Sequence, residues 1–510
     1  MKINLIETMQ DNHELHPGRL LLILVAVAFA ISIVQKTLRY FEIRRFKRQH
    51  KCLPAARVPQ LERIIGLRTF LDLKRDRRER VSLQEITRRA HQYGRTTTGI
   101  VLGTQFLSTH DPENVKALLA TNFADFSVGP RLPVLGPLLG RGIFTLDDVP
   151  WQHSRAMLRR AFTRTQVADL DSLEEHVQNL FASLPAANGT AVDLQPLFFN
   201  LTIDSATDFL LGRSVGTQVS LPGSEPALFS EAFEYAEAVL QRRTELAGLA
   251  SLVHDSRFNK ACHLIHGFVD RYIHAALEGD VKMGRYNLLA ELAGECKDPV
   301  RIREELLNVL LAARDTTASL LSSIFYLLAR NPTTWARLVE EVDGLHGEIP
   351  SYEALKDMHY LKSVLNETLR LFPPVPTNMR FARVDTMLPR GGGPDGLSPV
   401  FIPKDSRVFY SAWTMHRLPE VWGSDADKFL PERWIDKDKP LRPGWGYIPF
   451  NGGPRICLGQ QNALVEASYI VVRMVQTFAR LEPRDSQPWQ EHVALTLSNL
   501  HGTKVALWRS

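Results

Sequence analysis

The chain has 510 residues, of which 44% are hydrophobic and 23% are charged. These fractions are typical of a folded globular protein and exclude disordered, collagen-like and coiled-coil classes. The formal net charge is +5, but residues 36–51 alone carry +6 and the remainder sums to −1. A charge confined to one short segment excludes an extended basic groove, and we expect no nucleic-acid partner. The four cysteines are scattered without a C-x-x-C pair, which excludes a disulfide scaffold and a structural zinc module.

An apolar run at residues 20–34 is interrupted only by Ser32 and lies directly before the basic segment. Extended to residue 36, it predicts a membrane-spanning helix near the lower limit of the roughly 20 residues that a span needs. A buried core helix and a cleaved signal peptide are the alternatives. The mostly polar stretch before the run is too long for a typical signal-peptide n-region.

The charge bias across this run predicts the topology. The basic flank follows the run, and the positive-inside rule places that side in the cytosol. We therefore predict a single-pass membrane protein with a lumenal N-terminus at 1–19, a transmembrane helix at 20–36, a basic and proline-containing linker at 37–59 and one large domain at 60–510.

Helical periodicity dominates this domain. Apolar residues recur with a helix period at 81–94, 111–121, 166–184 and 226–249. Strand-forming residues concentrate at 400–402 and 407–410, on either side of a proline-containing turn, and predict a hairpin. The fold is therefore expected to be mainly α with small β-sheets.

One helix is predicted to be unusually long. Asp298 is a good N-cap, Pro299 suits the first helical position, and no helix breaker follows until Pro332. Such a helix, apolar nearly all round, is expected to cross the centre of the domain. Residues 314–317 place charged and hydroxyl side chains in its middle, where burial is costly unless they are paired or functional. They are a candidate site, and a solvated face at that turn is the alternative.

Residues 450–459 form the strongest local signal. Two adjacent glycines and a proline predict a tight loop, and the apolar run at 463–475 predicts a helix that begins just after Cys457. A cysteine at a helix N-terminus is favoured as the thiolate, which is the form that binds metal. Gly453 and Gly459 leave room for a flat cofactor to approach the backbone, and Arg455 offers a cation for a carboxylate.

This loop resembles the haem-binding loop of the cytochrome P450 superfamily. The pattern F-x-x-G-x-R-x-C-x-G is matched at Phe450, Gly453, Arg455, Cys457 and Gly459. Three further motifs occur in that family's order, namely E-x-x-R at Glu367 and Arg370, P-E-R-[FW] at Pro431 to Trp434, and W-x-x-x-R at Trp151 and Arg155. The resemblance extends from about residue 60 to the end and implies the cytochrome P450 fold with an N-terminal transmembrane anchor.

The resemblance assigns roles to the matched residues. It implies haem b (iron protoporphyrin IX) as the cofactor, Cys457 as the axial iron ligand, and haem-propionate contacts for Trp151, Arg155, Arg380 and Arg455. Taken alone, Glu367 and Arg370 would be a surface ion pair. If Arg433 joins them, the three form a buried cluster that serves folding and haem incorporation.

The middle of the long helix is similar to the family's [AG]-G-x-[DE]-T-[TS] segment, which crosses the distal face of the haem. The resemblance implies that Asp315 and Thr316 are catalytic and deliver the protons that oxygen activation consumes. Ala313 departs from the pattern, because most members have glycine there.

The implied activity is that of a haem-thiolate monooxygenase, with the large domain in the cytosol at the endoplasmic reticulum membrane. Residues 391–396 match G-x-G-x-x-G but lack the strand-to-helix context of a dinucleotide site, so NADPH is expected to act through a membrane NADPH cytochrome reductase. A haem-thiolate enzyme that rearranges or dehydrates its substrate without oxygen activation and a non-catalytic haem-binding protein are the alternatives.

Within the superfamily, three stretches resemble the fungal alkane and fatty-acid hydroxylases: residues 151–159, 378–393 and 444–461. By family analogy the pocket has an apolar lining made by Val134, Leu135, Leu138, Leu139, Ile143, Phe144 and Leu497. A lipophilic substrate is therefore expected, and hydroxylation of a long aliphatic chain or a chain-like secondary metabolite is the predicted reaction.

Overall fold

A computed structural model describes residues 17–60, 64–162, 170–246, 254–278 and 286–509. The described chain is mainly helical. Its helices are α1 Pro17–Gln49, α2 Leu67–Arg78, α3 Ser82–Tyr93, α4 Pro112–Lys116, α5 Arg131–Leu139, α6 Asp148–Arg159, α7 Asp171–Ser183, α8 Leu194–Leu211, α9 Glu225–Leu246, α10 Ser256–Glu278, α11 Leu288–Glu295, α12 Pro299–Arg330, α13 Pro332–Asp343, α14 Tyr352–Asp357, α15 His359–Leu371, α16 Ala412–Met415, α17 Pro419–Trp422 and α18 Gln460–Thr477.

The strands are short and form four small sheets in the described part of the chain. They are β1 Ala56–Arg57, β2 Thr96–Val101, β3 Thr104–Thr109, β4 Phe126–Ser127, β5 Ala191–Asp193, β6 Thr377–Ala382, β7 Thr386–Gly392, β8 Ser398–Ile402, β9 Arg407–Ser411, β10 Phe478–Pro483, β11 Glu491–Val493, β12 Leu497–Asn499 and β13 Lys504–Arg509. The largest sheet has the order β1-β2-β3-β9-β6-β4. The mainly α architecture with small sheets is confirmed.

Helix α12 is the predicted long helix, and it has 32 residues. The Asp298 side chain accepts a hydrogen bond from the Val300 N–H at 3.0 Å, and Pro299 occupies the first turn, as the sequence predicts. Two large apolar cores share this helix. Its C-terminal half packs into one core with α8, α15 and α18, and its N-terminal half packs into the other with α9 and α10. The helix is therefore central to the domain.

The predicted helical segments are present where the structure describes them. Helix α3 covers all but the end residues of 81–94, α4 and a following π-helical turn at Ala117–Thr121 cover 112–121, α7 covers most of 166–184, and α9 covers most of 226–249. Residues 163–169 and 247–253, at the ends of the last two predictions, lie outside the described residues.

The predicted hairpin around residues 403–405 is wrong. Both strands exist, but β8 pairs antiparallel with β7, whereas β9 pairs with β6 and β3 in the six-stranded sheet. Strand-forming residues identified the two strands, but the choice of partners depends on contacts between residues far apart in the sequence. The nearby turn therefore joins two different sheets.

Helix α1 contains the predicted membrane span. Residues Leu21–Gln49 are long and apolar enough to cross a membrane, and the apolar side chains of residues 21–34 are exposed rather than packed into the domain. The helix continues to Gln49, so the first part of the predicted linker at 37–59 is helical. Residues 1–16 of the predicted lumenal segment lie outside the described residues.

The end of α1 contacts the large domain through the β7–β8 hairpin. Arg39 forms an ion pair with Asp385, and the Phe46 and Phe401 rings lie 5.3 Å apart. The Leu53 N–H then donates to the Pro399 carbonyl at 2.9 Å. The anchor helix and the domain are thus joined by specific contacts.

The buried charge cluster predicted from the E-x-x-R and P-E-R-W motifs is confirmed. Glu367 and Arg370 are completely buried, and their side chains form a bidentate ion pair with both contacts at 2.8 Å. Arg433 Nε donates to Glu367 Oε1 at 2.9 Å, and the Trp434 indole N–H donates to Oε2 at 2.9 Å. Glu367 therefore compensates two guanidinium groups and ties α15 to the loop that follows α17.

Replacing Glu367 with Gln leaves two guanidinium groups facing a neutral amide. We expect the free energy of unfolding to fall by about 3–5 kcal/mol, because unpaired buried charge is costly. The matched control is Glu432→Gln, whose half-exposed ion pair with Arg337 should contribute less than about 1 kcal/mol. Urea unfolding of the haem-loaded proteins measures the difference, and equal losses for the two variants would refute the structural role of Glu367.

Candidate active site

The cysteine loop is fixed by a close contact between two backbones. Gly453 has φ +67°, and a Cβ atom there would lie 1.9 Å from the Leu119 carbonyl oxygen. Any other residue would collide with the π-helical turn at Ala117–Thr121. Glycine is thus required at position 453 for packing within the protein, whereas the sequence predicted that it leaves room for a flat cofactor. At Gly459 a Cβ would make only ordinary contact with Phe162 at 3.5 Å.

The same loop positions Cys457 at the start of α18. The Cys457 N–H donates to the carbonyl of Phe450 at 3.0 Å, and Phe450 itself packs against the apolar core of α12 and α18. Gly459 is the N-cap of α18, whose first residue is Gln460. The predicted helix after the cysteine is therefore confirmed.

Cys457 differs from the other cysteines in its surroundings. Its side chain is solvent-accessible, whereas Cys52 and Cys262 are buried and Cys296 is partly buried. The protein atoms packed around the loop partly desolvate the Cys457 thiol, although its surface can still be reached, and this desolvation raises its pKa above the ordinary value, while the Gly459 N–H and the Arg155 guanidinium lower it. Burial raises the pKa of Cys262 to about 12. Among the described cysteines, Cys457 is thus the accessible thiol with a nearby cation and helix N–H group.

Two guanidinium groups flank the buried Trp151. The guanidinium carbon of Arg455 lies 4.2 Å from the Trp151 ring centroid, and that of Arg155 lies 5.9 Å from it. Arg155 follows Trp151 by one helical turn on α6 and donates to the Ile456 carbonyl at 3.0 Å. Arg455 donates to Asp147 and to the Leu146 carbonyl, both at 2.8 Å. The W-x-x-x-R motif and the cysteine loop therefore meet.

Arg380 belongs to the same group of cations. It lies on β6 two residues after Asn378, so both side chains point to one face of the strand, and Arg380 Nη1 donates to Asn378 Oδ1 at 3.2 Å. Arg131, at the start of α5, donates to the same amide oxygen at 2.7 Å. Arg131 was missed by sequence reasoning, because no motif marks it and only the fold brings α5 to β6.

These cations have few anionic partners. Asp147 is the carboxylate paired with Arg455, and it also pairs with Arg383 at 3.3 Å. Burial is the main cause that lowers the pKa of Arg131 and of Arg455 to about 10, with the Arg380 charge acting in the same direction. The Arg380 Nε–H is buried and makes no hydrogen bond among the described residues. The group Arg131, Arg380 and Arg455 therefore suits a ligand that brings additional negative charge.

The two predicted catalytic residues lie next to each other on α12 but bond to different partners. The Thr316 hydroxyl is partly buried and donates to the Ala312 carbonyl one turn earlier, at 2.7 Å. Asp315 is buried and accepts from Arg314 Nη1 at 2.9 Å. The helix continues without a break through Ala313. The structure also brings Glu234 and Glu237 of α9 to Arg314, which no sequence motif had indicated.

The predicted apolar lining is divided between separate packing groups. Leu138 and Leu139 are fully buried in the core formed with α9 and α10, and Leu135 and Ile143 pack against that core. Leu497 belongs to a different apolar cluster. Leu138 and Leu139 therefore serve the core, whereas Leu135 and Ile143 remain partly accessible.

Comparison with known proteins decides the family. A family model described as Cytochrome P450 matches residues 67–502.

The chain belongs to the cytochrome P450 family.

Similar curated proteins come from fungi. Cytochrome P450 monooxygenase himC of Aspergillus japonicus is 42% identical over 501 residues, which cover 95% of this chain and 89% of that protein. Cytochrome P450 monooxygenase fsdH of Fusarium heterosporum is 41% identical over 491 residues, covering 92% of this chain and 85% of that protein. Cytochrome P450 52A5 of Candida maltosa is 45% identical over 428 residues, covering 79% of this chain and 81% of that protein. The P450 is therefore a monooxygenase, an oxidoreductase of a family that binds haem b through a cysteine thiolate.

The residues present in this P450 fit that cofactor. Haem b carries two carboxylates, and the group Arg131, Arg380 and Arg455 offers buried guanidinium groups in excess of the neighbouring carboxylate. The unpaired Nε–H of Arg380 is a further donor for a carboxylate oxygen. Cys457 supplies the accessible thiol that an iron ligand requires.

Replacing Cys457 with Ser removes the thiol at the start of α18. We expect the variant to lose the red-shifted Soret band of the ferrous carbon monoxide complex, because that band reports a thiolate ligand. Cys262→Ser, which changes a buried thiol elsewhere, is the control and should retain the band. A normal band in Cys457→Ser would refute the ligand assignment.

Proposed function

We propose that this P450 hydroxylates an unactivated carbon at or near the end of a long aliphatic chain, in a fatty acid, an alkane or a chain-like secondary metabolite. The observation that carries the proposal is the similarity over most of the chain to the Cytochrome P450 52A group, together with the resemblance of three stretches to fungal alkane and fatty-acid hydroxylases. The enzyme inserts one oxygen atom from O₂ into a lipophilic substrate and takes its electrons from NADPH through a membrane NADPH cytochrome reductase.

The cofactor, when bound, supplies the activation of O₂, and the chain's own residues hold it. Cys457 would bind the iron through its thiolate, and Phe450 and Gly453 fix the loop that presents it. Trp151, Arg155, Arg380 and Arg455 would hold the propionates, and we add Arg131 to this set because it shares the Asn378 amide with Arg380. Gly459 contributes the N–H group at the start of α18 that opposes the effect of burial on the thiol.

Proton delivery is assigned to α12. Thr316 carries a hydroxyl whose hydrogen bond to the Ala312 carbonyl stays within its own helix, so it can be exchanged for another acceptor without moving the backbone. Asp315 is the neighbouring acid, and its burial beside the partly buried Thr316, in a helix apolar on most sides, limits competing protons from bulk water. Asp315 and Thr316 are therefore the proposed catalytic residues.

The membrane location agrees with a lipophilic substrate. The exposed apolar part of α1 would anchor the P450 in the endoplasmic reticulum membrane as a single span, and the basic segment after it places the large domain in the cytosol. A substrate dissolved in the bilayer would then be concentrated near the enzyme. The cytosolic orientation is also the one in which a membrane NADPH cytochrome reductase would contact the domain.

A series of alkanes and fatty acids of increasing length tests the substrate class. Each buried CH₂ group contributes about 0.8 kcal/mol, so the spectral dissociation constant should fall about fourfold per added CH₂ until the channel is filled. Turnover with reductase and NADPH should give products oxidised at or near the chain end, identified by mass spectrometry.

Two controls accompany this series. Cys457→Ser reports product formed without the iron ligand, and a set of polycyclic compounds reports binding that does not depend on a chain. Tight binding of the polycyclic compounds alone, with no chain-end product at any length, would overturn the aliphatic proposal and leave the monooxygenase family assignment intact.

A further inference from the structure

A buried charge cluster joins α9 to the middle of α12. Arg314 donates to Glu237 Oε2 at 3.0 Å, to Asp315 Oδ1 at 2.9 Å and to Glu234 Oε1 at 2.9 Å. Its guanidinium carbon lies 5.0 Å from the centroid of the Phe199 ring and 5.5 Å from that of the Phe233 ring. A single arginine thus gathers carboxyl groups from two helices around the predicted catalytic acid.

The members of the cluster differ sharply in exposure. Arg314, Asp315 and Glu237 are 1%, 4% and 7% exposed, whereas the Glu234 side chain is 59% exposed. Glu234 is therefore stabilised by water in addition to its ion pair. The buried part of the cluster contains one cation and two carboxyl groups.

The charge of this buried part favours a bound proton. With both carboxyl groups ionised, the buried set would carry one surplus negative charge, which is costly away from water. A proton on either carboxyl makes the set neutral. Burial, and then the charge of Asp315, raise the pKa of Glu237 well above its ordinary value, while Arg314 acts in the opposite direction.

The geometry identifies Glu237 as the carrier of that proton. Its Oε2 accepts from Arg314, but its Oε1 is buried without a hydrogen-bond partner among the described residues. Glu237 also shares a side-chain hydrogen bond with the Asp315 carboxyl group, and two carboxyl groups can share a hydrogen bond only when one of them carries a proton. The charged groups that face Glu237 are Glu234 on its own helix and Arg314 and Asp315 on α12, while α8 contributes the uncharged Phe199 ring to the cluster.

We propose that Glu237 holds a dissociable proton and passes it to Asp315 during turnover, with Arg314 holding the two carboxyl groups together. The O–H bond of Glu237 breaks as an O–H bond forms on the Asp315 carboxylate, Asp315 releases that proton through Thr316 to the reaction, and Glu237 regains a proton from solvent at the exposed surface beside Glu234. The inference rests on the monooxygenase function and on the proton-delivery role proposed for Asp315. Glu237 acts through Asp315 and is a positioning and relay residue rather than a catalytic one.

The proposal also links proton supply to the position of α9. Glu237 belongs to α9 and Asp315 to α12, so the relay is complete only while these two helices are in contact at Arg314. Any movement that separates α9 from α12 would interrupt the supply of protons. The relay thus requires that α9 and α12 remain in contact at Arg314.

Glu237→Gln is the decisive variant, because glutamine keeps the size and the neutral charge of a protonated glutamate but cannot release a proton. We expect normal haem content and normal substrate binding, while product formed per NADPH consumed falls at least about tenfold and peroxide release rises. The solvent deuterium isotope effect on product formation should increase. Glu237→Asp, which keeps a carboxyl group, should give more product per NADPH consumed than Glu237→Gln; this ratio is the coupling.

The matched control is Glu234→Gln, which alters the exposed carboxylate that pairs with the same arginine. Its product formed per NADPH consumed should stay within about twofold of the value for the unchanged enzyme. Infrared difference spectra of the haem-loaded enzyme give a readout independent of activity. The unchanged enzyme should show a protonated-carboxyl C=O band that shifts in D₂O, titrates with pH and is missing in Glu237→Gln.

The outcomes separate this inference from the function on which it rests. If the unchanged enzyme fails to hydroxylate any substrate but shows the infrared band, the proposed function fails while the proton on Glu237 stands. Unchanged coupling and isotope effect in Glu237→Gln, or an infrared band that persists in that variant, would overturn the relay.

Discussion

Buried positive charge without enough protein carboxylate is the constraint that organises this molecule. Arg131, Arg380 and Arg455 come from α5, β6 and the cysteine loop, and Asp147 is the carboxylate that the structure pairs with Arg455. Holding guanidinium groups together in a poorly hydrated place is unfavourable unless an anion joins them. The two carboxylates of haem would supply that charge, and we therefore expect cofactor binding to stabilise this region.

The middle of helix α12 has the opposite imbalance of charge. At Arg314 the buried side chains include more carboxyl groups than cations, and a proton rather than a cofactor balances the set. The structure thus has one region of surplus positive charge that suits an anionic cofactor and another of surplus acid that suits proton transfer. A third network has its charges compensated within the protein, because Glu367 pairs with the buried Arg370 and with Arg433, and Arg433 also pairs with Asp425.

Local signals in the sequence predicted the elements better than their partners. Helix α12 was predicted with both ends because Asp298 caps it and Pro332 follows it, and the loop before Cys457 was predicted from glycine and proline spacing. The strand pairing at 400–410 was wrong because register and partner depend on distant contacts. Arg131 and Glu237 were missed for the same reason. Neither belongs to a motif, and their contacts, with Asn378 on β6 and with Arg314 on α12, form only in the folded chain.

The importance of the surplus positive charge can be measured by comparing haem with its dimethyl ester, which has the same ring and iron but no carboxylate charge. Protein freed of haem would be titrated with each compound, and binding would be followed by absorbance and by quenching of tryptophan fluorescence. If the group Arg131, Arg380 and Arg455 holds the propionates, haem binds at least about tenfold more tightly than the ester, and Arg131→Gln narrows this difference. Equal affinity for the two compounds would show that these arginines do not hold the cofactor.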